Sequence, residues 1–203
     1  MTDSRLNTLR NWLKALEASW QLDLDSLVPA SADASFRRYF RITSKNPSFG
    51  TLIVMDAPPQ HEPLDAFIKV DLLLSEAGLN VPKILEQNIA EGFLLLNDLG
   101  TKTYLAELNN ETADHLYKDA THALVLMQLA SKPGVLPNYD EALLQRELDL
   151  LPEWYLKKHL SIELSAQQID QLKKSFELII ENNLAQAKVY VHRDYHSRNL
   201  MVT

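Results

Sequence analysis

Near residue 98 this chain passes from a strand-rich pattern of apolar residues to a helical one, and that change limits the folds open to it. Residues 36–43 (FRRYFRIT) alternate apolar with Arg, and residues 51–55 (TLIVM) are apolar throughout. These are the marks of a half-buried and a central strand. The segment NPSFG at 46–50 supplies a turn, so 36–55 is predicted to be a hairpin. Residues 83–88 and 92–96 predict a second strand pair. Between the pairs, after Pro58 and Pro59, a helix is expected over 64–77. Its inward face would be Leu64, Phe67, Ile68 and Leu72, and Gly78 would end it.

From Tyr104 onward the apolar residues recur every three or four positions, as on helices. Leu116, Ala120, Ala123, Leu124 and Met127 form one stripe. Ser165 with Gln168 opens another helix as a capping box, continued by Ile169, Leu172, Phe176, Ile179 and Ile180. A further stripe of Leu6, Leu9, Leu13, Leu16 and Trp20 precedes the strands, and a Pro/Ala/Ser stretch around Pro29 separates it from them. The fold class expected is α+β. The divisions expected are an N-terminal helix (1–24), a strand-rich lobe (25–98) and a helical lobe (99–203).

The chain has no Cys, which excludes disulfide scaffolds, thiolate metal sites and Cys nucleophiles. A net charge of -7 argues against a nucleic-acid binder, which needs a basic face. No stretch has the length of a membrane span, and residues 1–20 lack the apolar core of a signal peptide. The expectation is a cytoplasmic protein with neither a nucleic-acid nor a membrane partner.

The chemistry is concentrated near the end, in VYVHRDYHSRNLMV at 189–202, where apolar runs predicted to be strands flank a polar loop. His192-Arg193-Asp194 followed by Asn199 has the H-R-D-x-x-x-x-N spacing of a kinase catalytic loop. In that loop the Asp accepts or orients the proton of an attacking hydroxyl, and the Asn amide oxygen faces a Mg2+ ion on the phosphates. His192 and Arg193 would support the loop, His192 as a buried brace. The alternation of His192, Asp194 and His196 leaves a metal-dependent hydrolase as another reading.

With this loop and this order of segments, the chain resembles the aminoglycoside phosphotransferase and choline kinase family. More narrowly it is similar to the bacterial anomeric kinases of N-acetylmuramate and N-acetylglucosamine. The narrower likeness rests on ASFRRYFR at 34–41, MDAPP at 55–59, GFLLLNDLG at 92–100 and ELDLLPEW at 147–154. The resemblance implies a protein-kinase-like two-lobe fold, with a small antiparallel-sheet lobe carrying one helix and a helical lobe that is incomplete. It implies ATP and Mg2+ as cofactors, and a small-molecule sugar acceptor phosphorylated at its anomeric hydroxyl. An aminoglycoside or choline acceptor is an alternative, as is a pseudokinase that only binds nucleotide or a partner.

Carried over by position, the resemblance makes Ser35, Phe36, Arg37 and Arg38 a phosphate-covering turn, and makes Asn97 and Leu99 backbone partners of the adenine. His196 and Trp154 become acceptor-side candidates, although helix packing is the favoured role for Trp154. Two departures stand out. Where protein kinases carry a phosphate-binding Lys this chain has Met55 or Asp56, so Arg37 or Arg38 is expected to supply that charge. The family also continues beyond the Asn to a metal-binding Asp, whereas this sequence stops at Thr203, so this polypeptide by itself is expected to be nearly inactive.

Overall fold

The runs TLIVM and FLLL have no polar face because both lie at the centre of a sheet covered on two sides. The computed structural model describes residues 3–31 and 36–203. Five strands, β1 (Leu22–Ser31), β2 (Arg38–Ser44), β3 (Thr51–Asp56), β4 (Ile84–Asn88) and β5 (Phe93–Asn97), form an antiparallel sheet in the order β1-β2-β3-β5-β4. Side chains alternate across it. Phe40, Ile42, Leu52, Val54, Phe93 and Leu95 pack with Leu9 and Leu13 of helix α1 (Ser4–Trp20). Met55, Leu94 and Leu96 pack with Leu64 of α2 (Leu64–Glu76), and Phe67 and Ile68 lie partly buried beside them.

β1 was not expected, since Pro29 lies inside it. Its place at the sheet edge resolves this, because an edge strand needs only one row of ladder bonds. Its register also breaks between Asp23 and Val28, so the ladder is irregular there. Leu72, expected inside, is 56% exposed. Eight steps along an α-helix carry it about 80° round the axis from Leu64, off the buried stripe.

Gly92 closes the turn from β4 into β5 with a φ of 75°. A Cβ there would stand 1.9 Å from the Ala57 carbonyl oxygen, and that oxygen's own residue accepts no relief, because Ala57 N–H is bonded to Gly92 O at 2.8 Å. Gly92→Ala therefore combines a left-handed backbone with a clash against main chain. It is expected to cost about 3 kcal/mol or more, read as a lower urea midpoint, whereas alanine at Gly50, which meets nothing within 4 Å, carries the backbone cost alone.

Compactness divides the chain into two units: residues up to 127 together with 194–203, and residues 128–193. Beyond the sheet, the first contains the short α3 (Tyr104–Glu107) and most of α4 (Ala113–Leu129), which buries Leu116, Ala120 and Met127. The second contains α5 (Glu141–Leu148), a π-helix (Leu151–His159) and α6 (Ala166–Leu184). Its buried apolar side chains include Leu144, Phe176, Ile180 and Tyr190, while Ile169 and Ile179 of the expected stripe stay more than 40% exposed. The Ser165/Gln168 capping box forms as expected.

The strands expected on either side of the polar loop do not form. Among the described residues the run 189–191 has no ladder, and 200–202 makes a single bridge, Met201 to Thr103. An apolar run becomes a strand only where a second strand completes its bonding. Among the described residues, no helix is long and apolar enough to cross a membrane.

Candidate active site

The polar loop is divided between the units. Residues 194–203 belong to the first and are held by main-chain bonds to the segment that follows β5. Val202 N donates to Lys102 O (2.8 Å), Tyr104 N to Leu200 O (2.8 Å) and Leu105 N to Ser197 O (3.0 Å). Tyr195 turns inward and donates its hydroxyl to Ala120 O of α4 at 2.7 Å, and burial pushes the pKa of that hydroxyl up.

On this platform Asp194 and Asn199 meet. Asn199 Nδ2 donates to Asp194 Oδ2 at 2.7 Å and to the Asp194 carbonyl at 3.0 Å, while Asn199 N bonded to His196 O (2.9 Å) closes the turn. Because the amide nitrogen is engaged, Asn199 Oδ1 is the atom left for a cation, and a hard oxygen suits Mg2+. The Asp194 side chain is 69% exposed, so solvent and solutes reach the carboxylate.

His196 Nε2 lies 2.9 Å from Asp194 Oδ1, and His196 Nδ1 accepts from Arg198 N at 3.2 Å. With both ring nitrogens engaged, the imidazole has no lone pair to offer a metal. Among the described residues no group of three His, Asp or Glu side chains is placed to hold one. The hydrolase reading loses its ligand set.

His192 and Arg193 belong to the second unit. His192 is exposed, not a buried brace; the buried position is taken by Tyr190, whose N–H donates to Ser131 Oγ at 2.7 Å. Arg193 has a φ of 71°, a left-handed backbone that costs an L-residue about 1–2 kcal/mol. Its guanidinium is bonded to the Glu147 carboxylate and lies 5.8 Å from the centre of the Tyr139 ring. The Tyr139 hydroxyl donates to the other Glu147 oxygen. Tyr139 and Arg193 together hold the Glu147 carboxyl below its ordinary pKa, and Glu147 raises that of Arg193. Glu147, the first residue of the ELDLLPEW segment, is thus engaged on both oxygens. Trp154 is 55% exposed, with Lys158 Nζ 3.5 Å from its ring centre, so it does not pack into a helix interface among the described residues.

In the sheet, Ser35 lies outside the described residues. Phe36 is 63% exposed and stacks on His61, with ring centres 4.4 Å apart. Arg37 pairs with Glu62 at 2.8 Å. Arg38 is committed elsewhere: Nε and Nη2 donate to Asp56 Oδ2 at 2.9 and 2.6 Å, and Nη1 to Asp3. Asp56 is fully buried, and its other oxygen accepts from Arg5 Nε at 2.6 Å. Arg38 and Asp56 face each other across β2 and β3. Counting back from the turn at 46–50 would have found the pair. Of Met55 and Asp56, the two residues where protein kinases would carry the Lys, Asp56 is here the buried anchor of two guanidinium groups.

Asn97 ends β5, and its side-chain oxygen accepts from Lys83 N. Leu99 lies two residues further on. Between them Asp98 binds Arg41 through both oxygens, Thr51 Oγ1 at 2.7 Å and Gly100 N at 2.8 Å. Burial opposes the charge of Asp98, yet the bonds from Arg41, Thr51 and Gly100 outweigh it and hold its pKa below the ordinary value. A carboxyl depressed on folding adds stability above its unfolded pKa, near 3.9, and loses it as the pH falls through the folded value. The urea midpoint of the wild type should therefore exceed that of Asp98→Asn at pH 7, with the gap closing below about pH 4.

An α+β chain with an antiparallel sheet and an Asp-Asn loop is built as a phosphotransferase is, and the family model for the phosphotransferase enzyme family (APH) matches residues 26–203. The chain belongs to that family. It is 45% identical over 99% of its length to the N-acetylmuramate/N-acetylglucosamine kinase of Pseudomonas aeruginosa. The proteins of the same name from Pseudomonas putida and Neisseria meningitidis are 44% and 40% identical over 98% and 96% of this chain. The chain spans 61%, 60% and 58% of the lengths of these three relatives.

Proposed function

We propose that this chain carries the nucleotide lobe and catalytic loop of an ATP-dependent kinase that phosphorylates the anomeric hydroxyl of N-acetylmuramate or N-acetylglucosamine. The observation that carries the reading is the contact between Asp194 and Asn199, two motif side chains five positions apart and joined at 2.7 Å on an exposed turn. Asp194 accepts the proton of the sugar hydroxyl as its oxygen forms a bond to the γ-phosphorus, and the bond from that phosphorus to the β,γ-bridging oxygen breaks to release ADP. Asn199 Oδ1 is the proposed Mg2+ ligand. When bound, the ion offsets charge on the phosphate oxygens. The choice of amino sugar is supported by the names of the relatives. The test is a panel of N-acetylmuramate, N-acetylglucosamine, aminoglycosides and choline, offered with MgATP to the longest product of the gene. ADP release confined to the aminoglycosides or choline would sink the amino-sugar assignment.

Of the two arginines beside the proposed phosphate turn, Arg37 is the proposed triphosphate partner. Glu62, with which it pairs, is 22% exposed, so that contact can be exchanged for phosphate at modest cost. Arg38 is tied to a fully buried carboxylate and a second acid. Arg37→Ala is expected to weaken MgATP binding about tenfold, the loss of one charge-assisted contact, with the fold unchanged. Arg38→Ala should instead lower stability. Calorimetric titration and urea unfolding of both variants separate these outcomes, and the reverse pattern would exchange the two roles.

A further inference from the structure

We propose that Glu62 is an internal competitor for the triphosphate: in the free protein its carboxylate occupies the guanidinium that MgATP must take, and nucleotide binding displaces it. The inference rests on the reading of Arg37 as the triphosphate partner. Arg37 Nη2 lies 2.8 Å from Glu62 Oε2, and the two side chains are only 28% and 22% exposed, so water screens this pair less than one on an open surface. The fold itself brings the two ends together. His61 N and Glu62 N both donate to Pro58 O, at 2.9 and 2.8 Å, which closes the chain after Pro58 and Pro59 into a tight turn. The base of that turn is tied to β5 by the bond from Ala57 N to Gly92 O at 2.8 Å. From the turn His61 stacks on Phe36, ring planes 18° apart, and Glu62 reaches Arg37. Residues 36 and 37 are thus matched in order against 61 and 62, and the Arg37 guanidinium lies 5.8 Å from the centre of the Phe67 ring of α2.

A guanidinium carries one positive charge. With Glu62 on it the pair is neutral and draws a polyphosphate weakly. With both anions on it, the carboxylate and the phosphate oxygens stand close enough to repel. The neighbouring cation brings no relief, because Arg38 is held by Asp56 and Asp3. A carboxylate that only positions Arg37 and one that competes for it make opposite predictions when its charge is removed. In the longest product of the gene, Glu62→Gln keeps size and hydrogen-bonding capacity but loses the charge. It should bind MgATP about three- to tenfold more tightly by calorimetric titration, the gain from an ion pair that no longer has to be broken. Adenosine, which has no phosphate, should bind both proteins within about twofold. In an Arg37→Ala background the same substitution should gain less than about twofold, because no guanidinium is left to compete for.

Unchanged or weaker MgATP binding by Glu62→Gln would overturn the proposal, as would an equal gain for adenosine or an undiminished gain without Arg37. A disturbed fold lowers affinity, so a gain cannot come from damage to the structure, and retained adenosine binding shows the site intact. Arg37→Ala alone tests the reading beneath. Should it leave MgATP affinity unchanged, Arg37 is not the triphosphate partner and both statements fall. Should it weaken MgATP binding while Glu62→Gln gains nothing, only the competition is rejected.

Discussion

Asp194→Ala is expected to reduce ATP-dependent sugar phosphorylation by about 10²–10⁴-fold, the range for removing a positioned general base. The sugar hydroxyl would then lose its proton acceptor at the moment its oxygen bonds to phosphorus. The fold should not notice, because the Asp194 side chain is exposed and, among the described residues, its bonds are to side chains of its own turn, Asn199 and His196. The main-chain bonds of 194–203 to residues 102–105 are untouched by the change. A kcat measurement beside a urea midpoint separates the two effects: kcat should collapse and the midpoint should stay. Asn199→Ala should also lower kcat, but in a way that added Mg2+ partly restores. A base and a metal ligand lose different things.

Asp56→Ala is the second large effect, and it is a folding effect. It leaves the guanidinium groups of Arg5 and Arg38 facing a site that was fully buried, with no carboxylate to balance them. Breaking a buried pair from one side costs roughly 3–5 kcal/mol. The loss should register in Trp12 and Trp20, which pack α1 onto the sheet: the Trp12 ring stands 5.6 Å from that of Phe93, and Trp20 Nε1 donates to Glu86 at 2.9 Å. Fluorescence-detected urea unfolding in a Trp154→Phe background isolates those two reporters. A midpoint within error of the wild type would mean that the buried carboxylate does not anchor α1.

The fold was legible wherever one residue's environment depended on its neighbours in sequence. The continuous apolar runs of β3 and β5, the turn at 46–50, and the capping box of α6 each announce themselves locally. β1 did not, because a strand containing Pro29 is acceptable only at an edge, and being at an edge is a property of the sheet. The same holds at the site. The meeting of Asp194 and Asn199 followed from spacing on a single turn. The commitment of Arg38 to Asp56 depends on strand register, and the hold of Glu147 on Arg193 links positions 46 apart. Reading Arg38 as a phosphate ligand gave weight to its charge and none to the carboxylate opposite. His192 was expected to be a buried brace, but without a partner strand the run 189–192 buries only Tyr190.

The most direct measurement follows the phosphorus. MgATP and N-acetylglucosamine incubated with the longest product of the gene should yield, by 31P NMR, ADP and a sugar phosphate whose phosphorus couples to the anomeric proton. The Asp194→Ala protein should leave the γ-phosphate signal in place. Free inorganic phosphate as the only new signal, or a sugar phosphate formed equally well without Asp194, would contradict the assignment of this loop to phosphoryl transfer.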